Sequence, residues 1–511
     1  MKLRYFMLAL AGTLVIAGCT DQPDDPASPN ADVTSAAAEK SWVVVFKQEK
    51  LPANVDQLVT AAGGTILSRV PEIGAVSASS ANPDFGATMK MNTAVRAADL
   101  SGKMRLILPT EDMGLASADN NGGTYSPPGS DGQPGTEPLW NQQWDKMRMN
   151  VSTASHTLQP GRRDVAVAIL DTGLDQIHPD IAPNLDVARS RSFVPGEATI
   201  QDLNGHGTWC GSAVAAPLNG IGVAGVAPNV TLVALKVLNA AGSGEWIYLA
   251  AALVYAGQNH FDIASMSLGG YIPRNTDHAD YIVVHRAIQF ARSNGVLPIA
   301  ALGNDNFDVS DGRFMQYFIE APGEMAGVVG VSATGYYNQK AHYSNYGQGK
   351  TDISAPGGAT RNYTGVPGSG APPPPYLGIG AVLGAWSSSG NQGAGFDRVE
   401  RCHGPLGTPP CALWVWIQGT SMATPNAAGV AALIISQYGD FPSSEGKAHM
   451  SPTTVEQYLQ ISANNQPCPP GRTTIAGPGF ALLTATCSGD VGYNNYFGKG
   501  IVDAMKALTL K

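Results

Sequence analysis

From Val165 onward the chain alternates short, continuous apolar runs with helix-length stretches. Val165–Leu170 is one such run. Others lie at Thr231–Leu238, Asp262–Leu268, Gly295–Ala301 and Ala326–Ser332, and helical stretches at Ile247–Gln258 and Ala279–Asn294 separate several of them. A run that is apolar at nearly every position suits a strand covered on both faces. Alternation of such strands with helices predicts an α/β domain, a parallel sheet flanked by helices on both faces. Ligands gather at the carboxyl ends of strands in these sheets. Asp171 directly follows the first run and Asn304 closely follows the fourth, so both stand where a cleft is expected.

A chain of 511 residues is long enough for two or more folded units. The net charge of −9 argues against nucleic acid as a partner. Residues 1–18 read as an export signal of the lipoprotein type. Lys2 and Arg4 precede an apolar stretch, Tyr5–Ala17, too short for a stable membrane span. Small residues then lead to Cys19, which resembles the lipidated cysteine of a bacterial lipobox; the alternative is an ordinary signal peptide. Residues 19–40 read as a flexible tether. Cysteine usage fits an oxidising compartment. Of the other five cysteines at least one must be unpaired, and three pairings of Cys402, Cys411, Cys468 and Cys487 are open. Proximity favours Cys402–Cys411 and Cys468–Cys487.

Residues 41–112 form an α+β pattern: a strand-like run at Trp42–Phe46, a helix-compatible stretch at Val55–Ala61, and further strands at Gly63–Leu67 and Ile73–Ala78. Residues 113–137 are rich in Gly, Pro, Ser, Asn and Asp and read as an exposed linker with a processing site. The α/β unit occupies 138–511, with an insertion at about 358–417.

Gly419-Thr420-Ser421-Met422-Ala423-Thr424-Pro425 sets a serine among small residues at the start of a helical apolar pattern. A serine hydroxyl becomes a nucleophile beside a histidine that an acid orients. Asp171 in Asp-Thr-Gly and His206 in Asn-Gly-His-Gly-Thr supply both upstream. The order Asp, His, Ser is that of subtilisin. The chain therefore resembles the subtilisin-like serine peptidases (subtilases), and the likeness covers most of residues 140–511.

The resemblance implies a secreted bacterial pre-pro-enzyme with a subtilisin-like fold, preceded by a small α+β propeptide that inhibits it. It implies a serine endopeptidase that acts through an acyl-enzyme and matures autocatalytically. His206 would take the Ser421 proton and return it to the leaving amine, with Asp171 holding the imidazole. Asn304, in Ala301-Leu302-Gly303-Asn304, would donate to the oxyanion beside the Ser421 backbone N–H. An extended substrate would pair with Ser267-Leu268-Gly269, and Ala301, Leu302 and Gly303 would wall the pocket for the residue preceding the cleaved bond. Recognition through main-chain bonds implies broad specificity. Cys210 would lie beneath His206 as a small buried side chain. Pro425 is expected within the first helical turn, where its missing donor matters little.

His178-Pro179-Asp180 also matches the family, with His178 structural. Trp209, Ser265, Asn426 and Leu302 depart from the usual residues. No cofactor is required for catalysis and no metal ligand set is assigned. A structural calcium is compatible with the family, although the loop Leu218–Gly222 is one residue short. The implied partners are protein or peptide substrates and the chain's own propeptide, with a membrane tether through Cys19 and a monomeric state. Two other readings stay open: a subtilase-type transpeptidase or ligase, and an inactive binding lipoprotein.

Overall fold

The computed structural model describes residues 39–106, 137–274, 278–312, 315–360, 380–390, 398–403, 410–441, 449–475 and 484–511. The export segment, Cys19, most of the 113–137 linker and Pro372–Pro375 lie outside these residues.

Strands β1 (Lys40–Phe46), β2 (Thr65–Val70), β3 (Ala75–Ser80) and β4 (Val95–Leu100) form an antiparallel sheet in the order β2-β3-β1-β4. Helices α1 (Val55–Ala61) and α2 (Phe85–Lys90) cover one face of it. The pleat sends alternate residues to opposite faces. Trp42, Val44 and Phe46 of β1 therefore share a core with Val55, Val59, Phe85 and Met89, while Val43 and Val45 point the other way. Two strands begin later than their apolar letters suggest. Gly63 (φ +84°) turns the chain after α1 before β2 starts. Ile73 is spent in a short 3₁₀ turn that Gly74 (φ +61°) closes before β3.

The chain continues through β5 (Lys103–Arg105), then α3 (Trp144–Arg148), α4 (Thr153–Leu158), β6 (Ala166–Asp171), β7 (Arg191–Ser192) and α5 (His206–Ala215). Next come β8 (Thr231–Lys236), β9 (Ser243–Glu245), α6 (Trp246–Gln258), β10 (Ile263–Met266), β11 (Gly270–Pro273) and α7 (Ala279–Ser293). Then follow β12 (Leu297–Ala301), β13 (Phe318–Ala321), β14 (Val329–Thr334) and β15 (Ile353–Pro356). The inserted strands β16 (Val382–Trp386), β17 (Arg398–Cys402) and β18 (Cys411–Ile417) precede α8 (Thr420–Tyr438).

Seven parallel strands make the large sheet, ordered β15-β14-β12-β10-β6-β8-β7. Val167 and Ile169 pack with α5 and α8 on one face; Ala168 and Leu170 pack with α6 and α7 on the other. That two-sided burial is why the run carries no polar alternation. The free face of the small sheet lies on α6 and α7, so Val43, Val45, Val70 and Ile73 join the same core as Ile247, Ile282 and Val283. Polar ties fix this seating. Arg286 donates to the Phe46 and Ile73 carbonyls at 2.8 and 2.9 Å, and Gly102 N–H donates to Asp280 at 2.8 Å.

The insertion builds its own antiparallel sheet, β16-β18-β17, which packs on α5. Trp209, where the resemblance leads one to expect a histidine, is fully buried there and donates to the Val415 carbonyl at 3.1 Å. Gly384 leaves room for its ring: a Cβ there would lie 2.6 Å from it. Cys402 is bonded to Cys411 across β17 and β18, Cys468 is bonded to Cys487, and Cys210 is a free, buried thiol.

Candidate active site

Asp171 ends β6 and His206 opens α5, and the fold brings them into contact. His206 Nδ1 lies 2.9 and 3.0 Å from the two Asp171 carboxylate oxygens, and both residues are fully buried. Asp202, which sequence reasoning passed over, fixes the histidine from behind. Its carboxylate accepts from the Gly205 and Thr208 N–H groups at 2.9 Å each and from the Thr172 hydroxyl at 2.8 Å. A carboxylate beside the first turn of α5 satisfies donors that have no partner within the helix. The signal lay in an Asp four residues before the His, a spacing too common to stand out. Gly205 carries φ +120°, and a Cβ there would meet the Trp386 ring at 2.1 Å. The inserted sheet thus presses directly on the backbone beside His206.

Ser421 is the second residue of α8. Its Oγ donates to the Ser267 carbonyl at 3.1 Å, while His206 Nε2 is buried without a hydrogen-bond partner. The hydroxyl is thus turned to the edge strand and away from the imidazole. Catalytic hydrogen bonds commonly close only when substrate is present. Pro425 corrects one expectation. It sits in the sixth helical position, beyond the first turn, and cannot donate to the Ser421 carbonyl. That carbonyl instead accepts from the Ser267 hydroxyl at 2.7 Å and from Cys210 Sγ at 3.7 Å. The proline frees one acceptor, and that acceptor ties the Ser421 backbone to the edge strand.

Asn304 follows Gly303 (φ +100°) at the end of the β12 segment. Its side-chain oxygen accepts from both the backbone N–H and the hydroxyl of Thr420, each at 2.9 Å. With the oxygen held, Nδ2 faces the Gly419 backbone, 3.3 Å from where a side chain there would begin. The amide donor is therefore aimed beside Ser421.

Ser267, Leu268 and Gly269 form the neighbouring edge, and Ala301, Leu302 and Gly303 lie across from it; all but the two glycines are buried side chains. The chain itself occupies this edge. Arg105 and Gly269 exchange both backbone hydrogen bonds, at 3.1 and 3.2 Å, and β5 pairs antiparallel with β9 on its other side. Met104 is fully buried between them.

Cys210 Sγ lies 3.8 Å from His206 Nδ1, and burial first, then the Asp171 charge, pushes its thiol well above the usual range. Asp171, His206 and Cys210 are the one trio of ligand-type side chains that converges among the described residues. Their chemistry suits proton transfer better than metal binding, because Nδ1 is engaged with Asp171 and burial keeps the sulfur protonated. His178 is no base. Its Nε2 lies 3.2 Å from the Leu413 carbonyl, and burial lowers its pKa to about 4. Around the loop at Leu218–Gly222 the side-chain oxygens are only partly engaged. Glu137 and Asp180 each keep one buried oxygen without a partner. The other Asp180 oxygen accepts from Val223 N–H and Trp414 Nε1, and the Asn219 carboxamide is spent on Ile221 and Pro179. Calcium takes about six to eight oxygens, backbone carbonyls included, and the side chains here leave two carboxylate oxygens unengaged.

The subtilase family model matches residues 162–500. An alkaline protease of Alkalihalobacillus alcalophilus is 34% identical over 291 residues, 57% of this chain and 59% of that protein. Subtilisin Savinase of Lederbergia lenta is 34% identical over 291 residues, covering 57% of this chain and 83% of that one. The chain therefore spans less than two thirds of the alkaline protease's length. Among solved structures, the epidermin leader peptide processing serine protease of Staphylococcus aureus superposes with a TM-score of 0.64 at 21% identity, over 93% of this chain and 98% of that one. Fervidolysin of Fervidobacterium pennivorans superposes with a TM-score of 0.62 at 19% identity, over 94% and 62%. These two likenesses concern the fold.

Proposed function

The chain belongs to the subtilase family, and from that premise we propose that it is a serine endopeptidase made as an inhibited precursor. The observation that carries this reading is the buried Asp171–His206 pair beside Ser421 and the Asn304 amide. In this reading a rotation about the Ser421 Cα–Cβ bond turns the hydroxyl from the Ser267 carbonyl towards His206 Nε2. His206 takes the proton as Oγ attacks the substrate carbonyl, and Asp171 stabilises the imidazolium. The Ser421 N–H and Asn304 Nδ2 receive the negative oxygen. His206 then protonates the departing amine, and water, deprotonated by the same imidazole, releases the acyl group. No cofactor enters these steps.

Residues 41–112 act as the propeptide in this reading. Its support is the pairing of β5 on β9 and Gly269, which fills the edge a substrate would use. Cleavage in the linker would then free the cleft. Export with lipidation at Cys19 is proposed on the N-terminal residues, and monomeric action on the α/β unit's self-contained core. The intact Asp171, His206 and Ser421 favour catalysis over a binding role, and the ligase reading shares the same acylation half.

The test is labelling with a fluorophosphonate probe. Labelling is expected at Ser421 of the processed chain, together with peptide hydrolysis. Ser421→Ala should abolish labelling and lower kcat by about 10⁶-fold, the size of the loss in subtilisin. Failure to label a folded, processed chain would refute the peptidase reading. An acyl fragment that ends in the added amine instead of a free carboxylate would favour the ligase.

A further inference from the structure

Glu320 on β13 is a fully buried carboxylate that the proton relay does not use, and neither of its oxygens has a hydrogen-bond partner. It lies between the two walls of the pocket. On one side, a Cβ on Gly303 would come within 3.3 Å of the Glu320 carboxyl carbon, one residue before Asn304. On the other, Glu320 stands opposite Tyr271 in the antiparallel β11–β13 pair, which continues the edge that begins at Ser267–Gly269.

The surrounding charges leave Glu320 uncompensated. Glu324 holds the nearby cations, Arg274 at 3.0 Å and Lys350 at 3.5 Å. Asp305 accepts the Tyr271 hydroxyl at 2.7 Å. Burial first, then the charges of Asp305 and Glu324, hold the Glu320 carboxyl well above the usual range. The Gly270 amide and the exposed Arg105 act the other way, without a hydrogen bond of ordinary geometry. An isolated buried carboxylate is costly, and a cation with donors to spare removes that cost. No third ligand-type side chain converges on it among the described residues, which disfavours a metal ion.

We propose that Glu320 makes the pocket for the residue preceding the cleaved bond selective for lysine and arginine side chains. The proposal rests on the peptidase reading and narrows its broad specificity at that one position. The ammonium or guanidinium of the substrate supplies the partner that the protein withholds. Main-chain pairing along Ser267–Gly269 keeps the outer positions tolerant.

The test uses the full chain, incubated until its activity is constant, and fluorogenic peptides that differ only at the residue before the cleaved bond. Arginine and lysine peptides should exceed leucine and phenylalanine peptides in kcat/KM by about 30-fold or more, as expected for a buried charge pair. Glu320→Gln should bring that ratio close to one. A wild-type preference for leucine or phenylalanine would overturn the assignment, as would a ratio that Glu320→Gln leaves unchanged. The wild-type ranking needs no variant, so misfolding of Glu320→Gln does not protect the proposal. A chain that labels at Ser421 yet prefers apolar residues overturns this inference alone; a chain that neither labels nor cleaves overturns the peptidase reading with it.

Discussion

On one side of Ser421, Asp171 is buried with both oxygens within hydrogen-bond reach of His206; on the other, Glu320 is buried with neither oxygen engaged. Both carboxylates are out of water, and both border the same cleft. Under the proposed function, the difference separates a part of the machine from a receptor. On that reading the imidazole must be held in one orientation through every turnover, so its partner belongs to the protein. A selectivity charge has to be empty before substrate arrives and empty again after product leaves. Its partner therefore comes with the substrate.

Three changes would break or sharpen this contrast. Asp171→Asn should have the largest effect, a fall in kcat of about 10⁴-fold for every substrate alike, because the amide favours the wrong imidazole tautomer. Steady-state kinetics on both basic and apolar peptides checks this; a loss confined to one class would erase the distinction from Glu320. Asn304→Ala should lower kcat by about 10²–10³-fold with KM nearly constant, the range found for the oxyanion asparagine of subtilisin. A loss below about tenfold would remove Asn304 from that role.

The smallest effect concerns a third buried carboxylate, Asp280, at the seat of the small sheet. Burial raises its pKa to about 7, with Gly102 N–H opposing and Asp99 and Glu245 adding to the rise; His278 stands 3.9 Å away. A raised carboxyl favours the docked state when protonated. That contribution is fully present below the ordinary carboxyl value near 3.8 and is lost as pH climbs towards 7. In the Ser421→Ala chain, which cannot process itself, thermal unfolding of residues 40–106 should begin a few degrees higher at pH 5 than at pH 8. Asp280→Asn should flatten the difference; a slope that survives would place its origin elsewhere.

Much of this was legible in the letters. The five apolar runs each overlap a strand of the large sheet, with β6 and β14 running one and two residues past them, and α1 spans Val55–Ala61 as its pattern predicts. Asp171, His206 and Ser421 stand out because each sits in a glycine-bearing motif. Glu320 does not. It lies between an aromatic pair and a proline, where a glutamate is ordinarily a solvated turn residue, and only the β11–β13 pairing brings it beneath Gly303. Lys146 was hidden for the same reason. It is buried at the base of α8, 3.1 Å from its neighbour Asp145 and 2.5 Å from Asn426, and the second contact joins distant parts of the chain. The inserted sheet had a local signal in Ala412–Ile417, rich in β-branched and aromatic residues, but its packing partner Trp209 lies far upstream.

The placement of that inserted sheet orders events on the ribosome. Asp171 and His206 are translated early, yet the wall behind the histidine is completed only by Trp386 and Val415, and Ser421 follows four residues after Ile417. A growing polypeptide therefore acquires His206, the brace behind it and finally Ser421 in sequence. Under the peptidase reading, the nascent chain stays chemically silent until Ser421 has been added.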